Sequence, residues 1–230
     1  MAKQNDKPQV IKGVSPKGRF KYPNLVTPDY GSTEHPKEFG EYNVRLILDE
    51  AGAEAFRVKY QSVFEKALEE GQAKFNDLPV ASRKKLKELK VNEYLQEIYD
   101  EDTEEPTGEY EVRFKTSAEG VNKKTGKPWK KKLAIFDAKG KPFTPEAVWS
   151  GTVGKISFTA KPYFITGSGA CGLKFYLDAA QIIELNAGGN KDAKGYGFGE
   201  EEGYEADETG HGFDEEEGYE AEEDGDEGDF

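Results

Sequence analysis

The chain has 230 residues, 32 Lys and Arg against 45 Asp and Glu for a net charge of −13, and a single cysteine, Cys171. That length allows one domain of ordinary size with a real core plus a further segment, and a lone cysteine excludes a disulfide framework and points to a reducing cytoplasm. The first residues carry no apolar run and no later stretch approaches the length of a membrane span, so the expectation is a soluble protein that stays where it is made.

Residues 1–19 are polar, with Lys3, Lys7, Lys12, Lys17 and Arg19 set among Gly and Pro, and read as a mobile basic arm leading into a short strand at 20–22. Thr27-Pro28-Asp29-Tyr30-Gly31 has the composition of a turn. Over 41–48, Tyr42, Val44, Leu46 and Leu48 alternate with Asn43 and Arg45, the period of a strand with one buried face. Asp49 then stands where a helix cap belongs, and Phe56, Tyr60, Val63, Phe64 and Ala67 recur at three and four, so that helix packs one face on the core. Residues 78–105 read either as a helix capped by Ser82 and carrying Leu86, Leu89, Leu95 and Ile98, or as a long decorated loop. That segment holds the basic cluster Arg83-Lys84-Lys85-Leu86-Lys87, which is either a solvated face or a binding surface.

From residue 109 to 185 the period is that of strands. Tyr110, Val112 and Phe114 alternate with Glu111, Arg113 and Lys115, and 130–137 reads as a second strand of the same hairpin. Its loop carries Lys123, Lys124, Lys127, Trp129, Lys130, Lys131 and Lys132. A strand at 155–165 turns Ile156, Phe158 and Ala160 inward, and one at 173–185 does the same with Leu173, Phe175 and Leu177. About five strands with an inserted helix in fewer than 200 residues predict a mainly β protein, a five-stranded OB-fold barrel, rather than a sandwich of seven or more strands. Residues 186–199 have the composition of a flexible linker. The expected division is a barrel domain over 1–188 and a linker with an acidic tail over 189–230.

The charge is divided the same way. Residues 195–230 contain 17 Asp and Glu and no Lys or Arg; taking those 17 from 45 leaves 28 acids against 32 bases in 1–194, a body of +4. Too few apolar groups stand in such a tail to offset chain entropy and self-repulsion, so it is not expected to fold alone. Within it Glu-Glu-Glu-Gly-Tyr-Glu-Ala occurs at 200–206 and again at 215–221. A basic body with an acidic tail is a pattern of nucleic-acid proteins, the tail competing with the polyanion; the plainer reading is a solubilising appendage.

Catalytic patterns fail. Gly167-Ser168-Gly169-Ala170-Cys171-Gly172 matches a dinucleotide fingerprint in spelling, but a strand follows it where a helix is required, so it reads as a β-β connection. His35 and His211 are the only histidines, and Asp224, Asp226 and Asp229 lack the spacing of a calcium loop, so no catalytic residue, metal site or cofactor is expected. A binding surface fits better, since a single strand is held by cations that follow phosphates and aromatic faces that stack bases. Arg113, Lys115, Lys130, Lys132, Lys155, Lys161 and Lys174 fall opposite the inward residues, with Trp129, Tyr163 and Tyr176 as candidate stacking rings and Lys123, Lys124 and Lys127 in the loop beside them. Phe114 keeps core parity and is carried both as a core residue and as a candidate ring.

The chain resembles the single-stranded DNA-binding proteins of tailed phages, in which one OB barrel precedes an acidic tail ending in phenylalanine. The resemblance rests on Thr27-Pro28-Asp29-Tyr30-Gly31 followed by Phe39-Gly40 and the strand at 42–48, on Val112-Arg113-Phe114-Lys115 with Lys123-Lys124-Thr125, and on Asp137-Ala138-Lys139-Gly140-Lys141. It continues through Val153-Gly154-Lys155-Ile156, Pro162-Tyr163, Glu184-Leu185 and the closing Asp-Gly-Asp-Glu-Gly-Asp-Phe. It implies a protein of phage DNA replication, recombination and repair in the host cytoplasm. It would coat single-stranded DNA and, through Asp226, Glu227, Asp229 and Phe230, contact the phage DNA polymerase and primase-helicase. The resemblance further implies that Arg83, with Lys84 and Lys85, helps hold DNA, that Tyr163 lies near the groove, and that a homodimer can form. The competing reading is an acidic-tailed adaptor or DNA mimic whose barrel is only structural.

Overall fold

The computed structural model describes residues 10–186. The first nine residues and 187–230, with the linker, the repeat and the tail residues Asp226, Glu227, Asp229 and Phe230, lie outside the described residues.

Five long strands form the frame: β2 (Gly18–Gly31), β3 (Pro36–Leu48), β6 (Pro106–Ser117), β10 (Val153–Ile165) and β11 (Ala170–Glu184). β2 pairs antiparallel with β3 and β3 with β6; β6 meets β11 in parallel at Phe114 and Phe175; β11 runs antiparallel to β10. β10 returns to β2 at Val153–Arg19 and Gly154–Gly18, which closes the ring. This is the five-stranded OB barrel. Alternation fills it: Phe20, Val44, Leu46, Leu48, Val112, Phe114, Ile156, Phe158, Phe175 and Leu177 are buried, while most of their neighbours along each strand are more exposed, Ile47, Glu111 and Thr159 being buried as well.

Helix α1 (Glu50–Asn76) enters between the second and third barrel strands, and the Asp49 side chain caps it by accepting from the Gly52 N–H at 2.8 Å. Its buried stripe is Ala53, Phe56, Tyr60, Phe64 and Ala67, continued by Gly71 and Phe75. The Phe56 ring stands 4.7 Å from Tyr60, 5.8 Å from Phe158 and 5.6 Å from Phe175 at tilted angles, so the helix seals one end of the barrel with aromatic contacts. Gly71 allows the close approach, since a Cβ there would lie 2.7 Å from that of Cys171.

Several expectations change. Ile11–Val14 of the basic arm form strand β1, which pairs with Ala160–Ser157 of β10. Thr27 to Gly31 is not a turn but the end of β2, where successive register shifts absorb the turn-forming residues; the reversal falls at 32–35. Residues 78–105 are neither one helix nor one loop. They give α2 (Val80–Leu86), preceded by Pro79 and without a side-chain cap, then β4 (Lys90–Asn92) and β5 (Gln96–Tyr99). The segment 130–137 is broken because the Lys131 N–H donates to the Ala118 carbonyl and its ammonium to the Leu177 carbonyl. What results is a separate hairpin of β7 (Glu119–Val121) and β8 (Pro128–Lys130), then β9 (Ala134–Phe136), which runs parallel to β11.

Candidate nucleic-acid interface

Strand parity places one row of side chains outside the barrel across β3, β6 and β11. Arg45 faces Arg113 and Asn43 faces Lys115 as direct cross-strand partners, and Lys174 flanks Phe175 where β11 meets β6. With Tyr22, Asn24 and Lys37 they line a cleft of about 530 Å³. Its lining carries five cations, Lys37, Arg45, Arg113, Lys115 and Lys174, against two carboxylates, Asp29 and Glu41, so the sign is positive.

Two arginines directly opposite on a sheet repel unless a counter-ion intervenes. Glu111, 8 % exposed, supplies it, lying 3.4 Å from Arg45 and 3.2 Å from Arg113. Glu41 does the same for Lys115 at 2.9 Å and Lys37 at 3.3 Å, and Lys37 with the Gly31 N–H holds the Asp29 carboxyl below the usual carboxylate range. Lys174 has no such partner among the described residues; burial, and then the charge of Lys115, push its pKa down.

Toward the β10–β11 turn, Lys161 lies opposite Lys174, and the ammonium groups of Lys161 and Lys174 stand 5.1 and 5.0 Å from the Tyr176 ring. The Tyr163 hydroxyl accepts from the Asn92 amide at 2.7 Å, which ties its ring to β4. At the end of β3 and β6 the β7–β8 hairpin is anchored by the Ala118 N–H to the Gly40 carbonyl and by the Tyr42 hydroxyl to the Lys131 carbonyl. Glu119 holds it further, accepting from Lys130 and from the Tyr30 hydroxyl, each at 2.8 Å, and these two donors keep its carboxyl below the ordinary range. Trp129 lies over Gly120, where a Cβ would meet the indole at 2.7 Å, and is 43 % exposed; Lys123, Lys124, Lys127 and Lys132 are exposed around it. Among the described residues no group of His, Cys, Asp and Glu is placed to hold a metal ion.

The family model for the single-stranded DNA-binding protein of bacteriophage T7 matches residues 18–185, from the first residue of β2 to one past the end of β11. The chain belongs to that family. Among solved structures, gp2.5, the single-stranded DNA-binding protein encoded by bacteriophage T7, matches at 20% identity with a TM-score of 0.63 over 77% of this chain and 93% of that one, a shared fold. The single-stranded DNA-binding protein of bacteriophage Enc34 matches at 13% identity and a TM-score of 0.47 in a C-terminally truncated form, over 75% of this chain and 85% of that one. Its complex with single-stranded DNA matches at 11% and 0.46, over 75% and 86%. No curated protein matches by sequence.

Not every candidate residue joins this surface. Phe114 lines the cleft floor, but its side chain is wholly buried, 5.2 Å from the Phe158 ring, and presents no open face to a base. Lys155 stands six residues along β10 from Lys161, about 20 Å at ~3.3 Å per residue, and lines a different concavity with Val14, Phe136 and Gln181. Arg83, Lys84 and Lys85 sit on α2, beside the β10–β11 turn to which the Lys90 N–H is bonded through the Gly169 carbonyl at 2.9 Å. They do not line the cleft. Sequence reasoning missed Tyr22, Asn24, Lys37, Asn43 and Arg45, which do line it. Arg45 and Asn43 had a signal, the same alternation that put Tyr42 and Val44 inside; Tyr22 and Lys37 had none.

Proposed function

We propose that the protein binds single-stranded DNA without sequence preference, along the cleft that crosses β3, β6 and β11, and that it acts by binding and not by catalysis. The observation that carries this reading is the row Arg45, Arg113, Lys115 and Lys174 beside exposed or half-exposed rings, a cationic track with stacking faces. Membership of the phage family supports it. The cleft carboxylates hold the cations in place until phosphates take over, so the strand enters a surface whose side chains are already ordered.

The role is in phage DNA replication, recombination and repair in the host cytoplasm. The acidic tail competes with DNA for the cationic surface as a tethered anion, and its end, Asp226, Glu227, Asp229 and Phe230, recruits the DNA polymerase and primase-helicase. A homodimer belongs to the same reading.

Fluorescence anisotropy with a labelled oligothymidylate tests the cleft and the tail together. The double variant Arg113→Ala, Lys115→Ala weakens binding, and deletion of 200–230 tightens it while polymerase recruitment is lost. A tail-deleted body that fails to bind the oligonucleotide overturns the reading in favour of an adaptor. Unchanged affinity after the deletion removes self-competition alone.

A further inference from the structure

Tyr22 is built against its backbone preference. It has φ of 49°, the left-handed region that a bulky side chain avoids, and it precedes Pro23, a position further restricted by the proline ring. The strand bulges there, for the β2–β3 register slips between Lys21 and Asn24. The distortion is held by a tether from outside the hairpin: the Tyr22 N–H donates to the Ser150 hydroxyl at 2.9 Å. Packing does not reward it, since Tyr22 is 60 % exposed. What the bulge achieves is placement, swinging the ring to the edge of the cleft, with the Lys21 ammonium 5.4 Å and the Arg45 guanidinium 5.5 Å from its centre. A strained, exposed aromatic at the edge of a cationic track has the character of a ligand contact.

We propose that Tyr22 is a base-stacking platform at the β2 edge of the cleft, a subsite for one nucleobase of a single strand; this rests on the cleft being the DNA site. It mirrors Tyr176 at the β11 side, which also stands between two cations. A base laid on the Tyr22 ring displaces one of its cations, and that charge then faces the adjoining phosphate. Stacking ignores base identity, so the subsite adds affinity without adding sequence preference.

The test compares full-length wild type, Tyr22→Phe and Tyr22→Asn in anisotropy titrations with labelled oligothymidylate over a salt series, alongside thermal melts. Asn tolerates the left-handed backbone, so Tyr22→Asn is expected to melt no lower than wild type and to bind roughly 5- to 150-fold more weakly, the worth of one stacked base. The salt slope stays the same, because no phosphate contact is removed, and Tyr22→Phe binds as wild type. If Tyr22→Asn binds as wild type while Arg113→Ala, Lys115→Ala weakens binding, the subsite is wrong and the cleft stands. If Tyr22→Asn also flattens the salt slope, the ring acts only by positioning Arg45 and the stacking role is overturned. Failure of the wild type to bind overturns both.

Discussion

At the scale of the residue, the cleft is a set of cations under unequal constraint. Lys174 is half-buried next to Lys115, and both effects lower its pKa, burial more than charge. Between that lowered value and the ordinary lysine range, the unfolded chain binds more protons than the folded one. Stability therefore rises with pH through this window, while the charge available to DNA falls. A phosphate against Lys174 restores the proton, so binding at alkaline pH takes up protons. Calorimetry in buffers of different ionisation heat detects this uptake, and Lys174→Arg, whose charge does not titrate, removes it. Glu111 is the other residue to probe. Glu111→Gln leaves Arg45 and Arg113 opposed without a counter-ion, so the melting temperature falls, and anisotropy shows tighter DNA binding because the arginines no longer have a competing carboxylate. Arg113→Ala reduces the slope of log affinity against log salt by about 0.7 if it neutralises one phosphate.

At the scale of the element, α1 and the β7–β8 hairpin show opposite degrees of legibility. The α1 cap and stripe could be read from Asp49, Phe56, Tyr60, Phe64 and Ala67 because helix period and capping are local. Its Phe56 joins the helix to Phe158 and Phe175 in the barrel, so Phe56→Ala costs about 3–5 kcal/mol, seen as a lower urea midpoint. Around the hairpin the alternation reads 130–137 as one strand pairing with 110–115, whereas the chain breaks after Lys130, between β8 and β9. Its break depends on Ala118 and Leu177 accepting from Lys131, contacts spanning 13 and 46 positions that no local pattern displays. Residues 78–105 were ambiguous for the same reason. β4 exists because Ala170–Gly172 offer it a strand edge, and its three residues are exposed, without the alternation that marks a half-buried strand.

At the scale of the whole molecule, the division of charge and the barrel have different origins. The body of +4 and the tail of 17 acids are properties of composition, and they predict steep weakening of DNA binding as salt rises, measurable by anisotropy from low to physiological ionic strength. The strand count and inward parity were also there to read, because alternation records which face each strand buries. Sequence by itself therefore determined the mainly β barrel, the capped helix, and most of the basic residues around the surface. Only the tertiary structure decided which of them meet. Closure of β10 on β2 and the contact of β11 with β6 bring Tyr22, Arg45, Arg113 and Lys174 to one cleft, while they send Lys155 elsewhere. The physical reason is that parity tells which side of a strand a residue takes, whereas register and bulges, set by partners distant in the chain, tell what stands beside it.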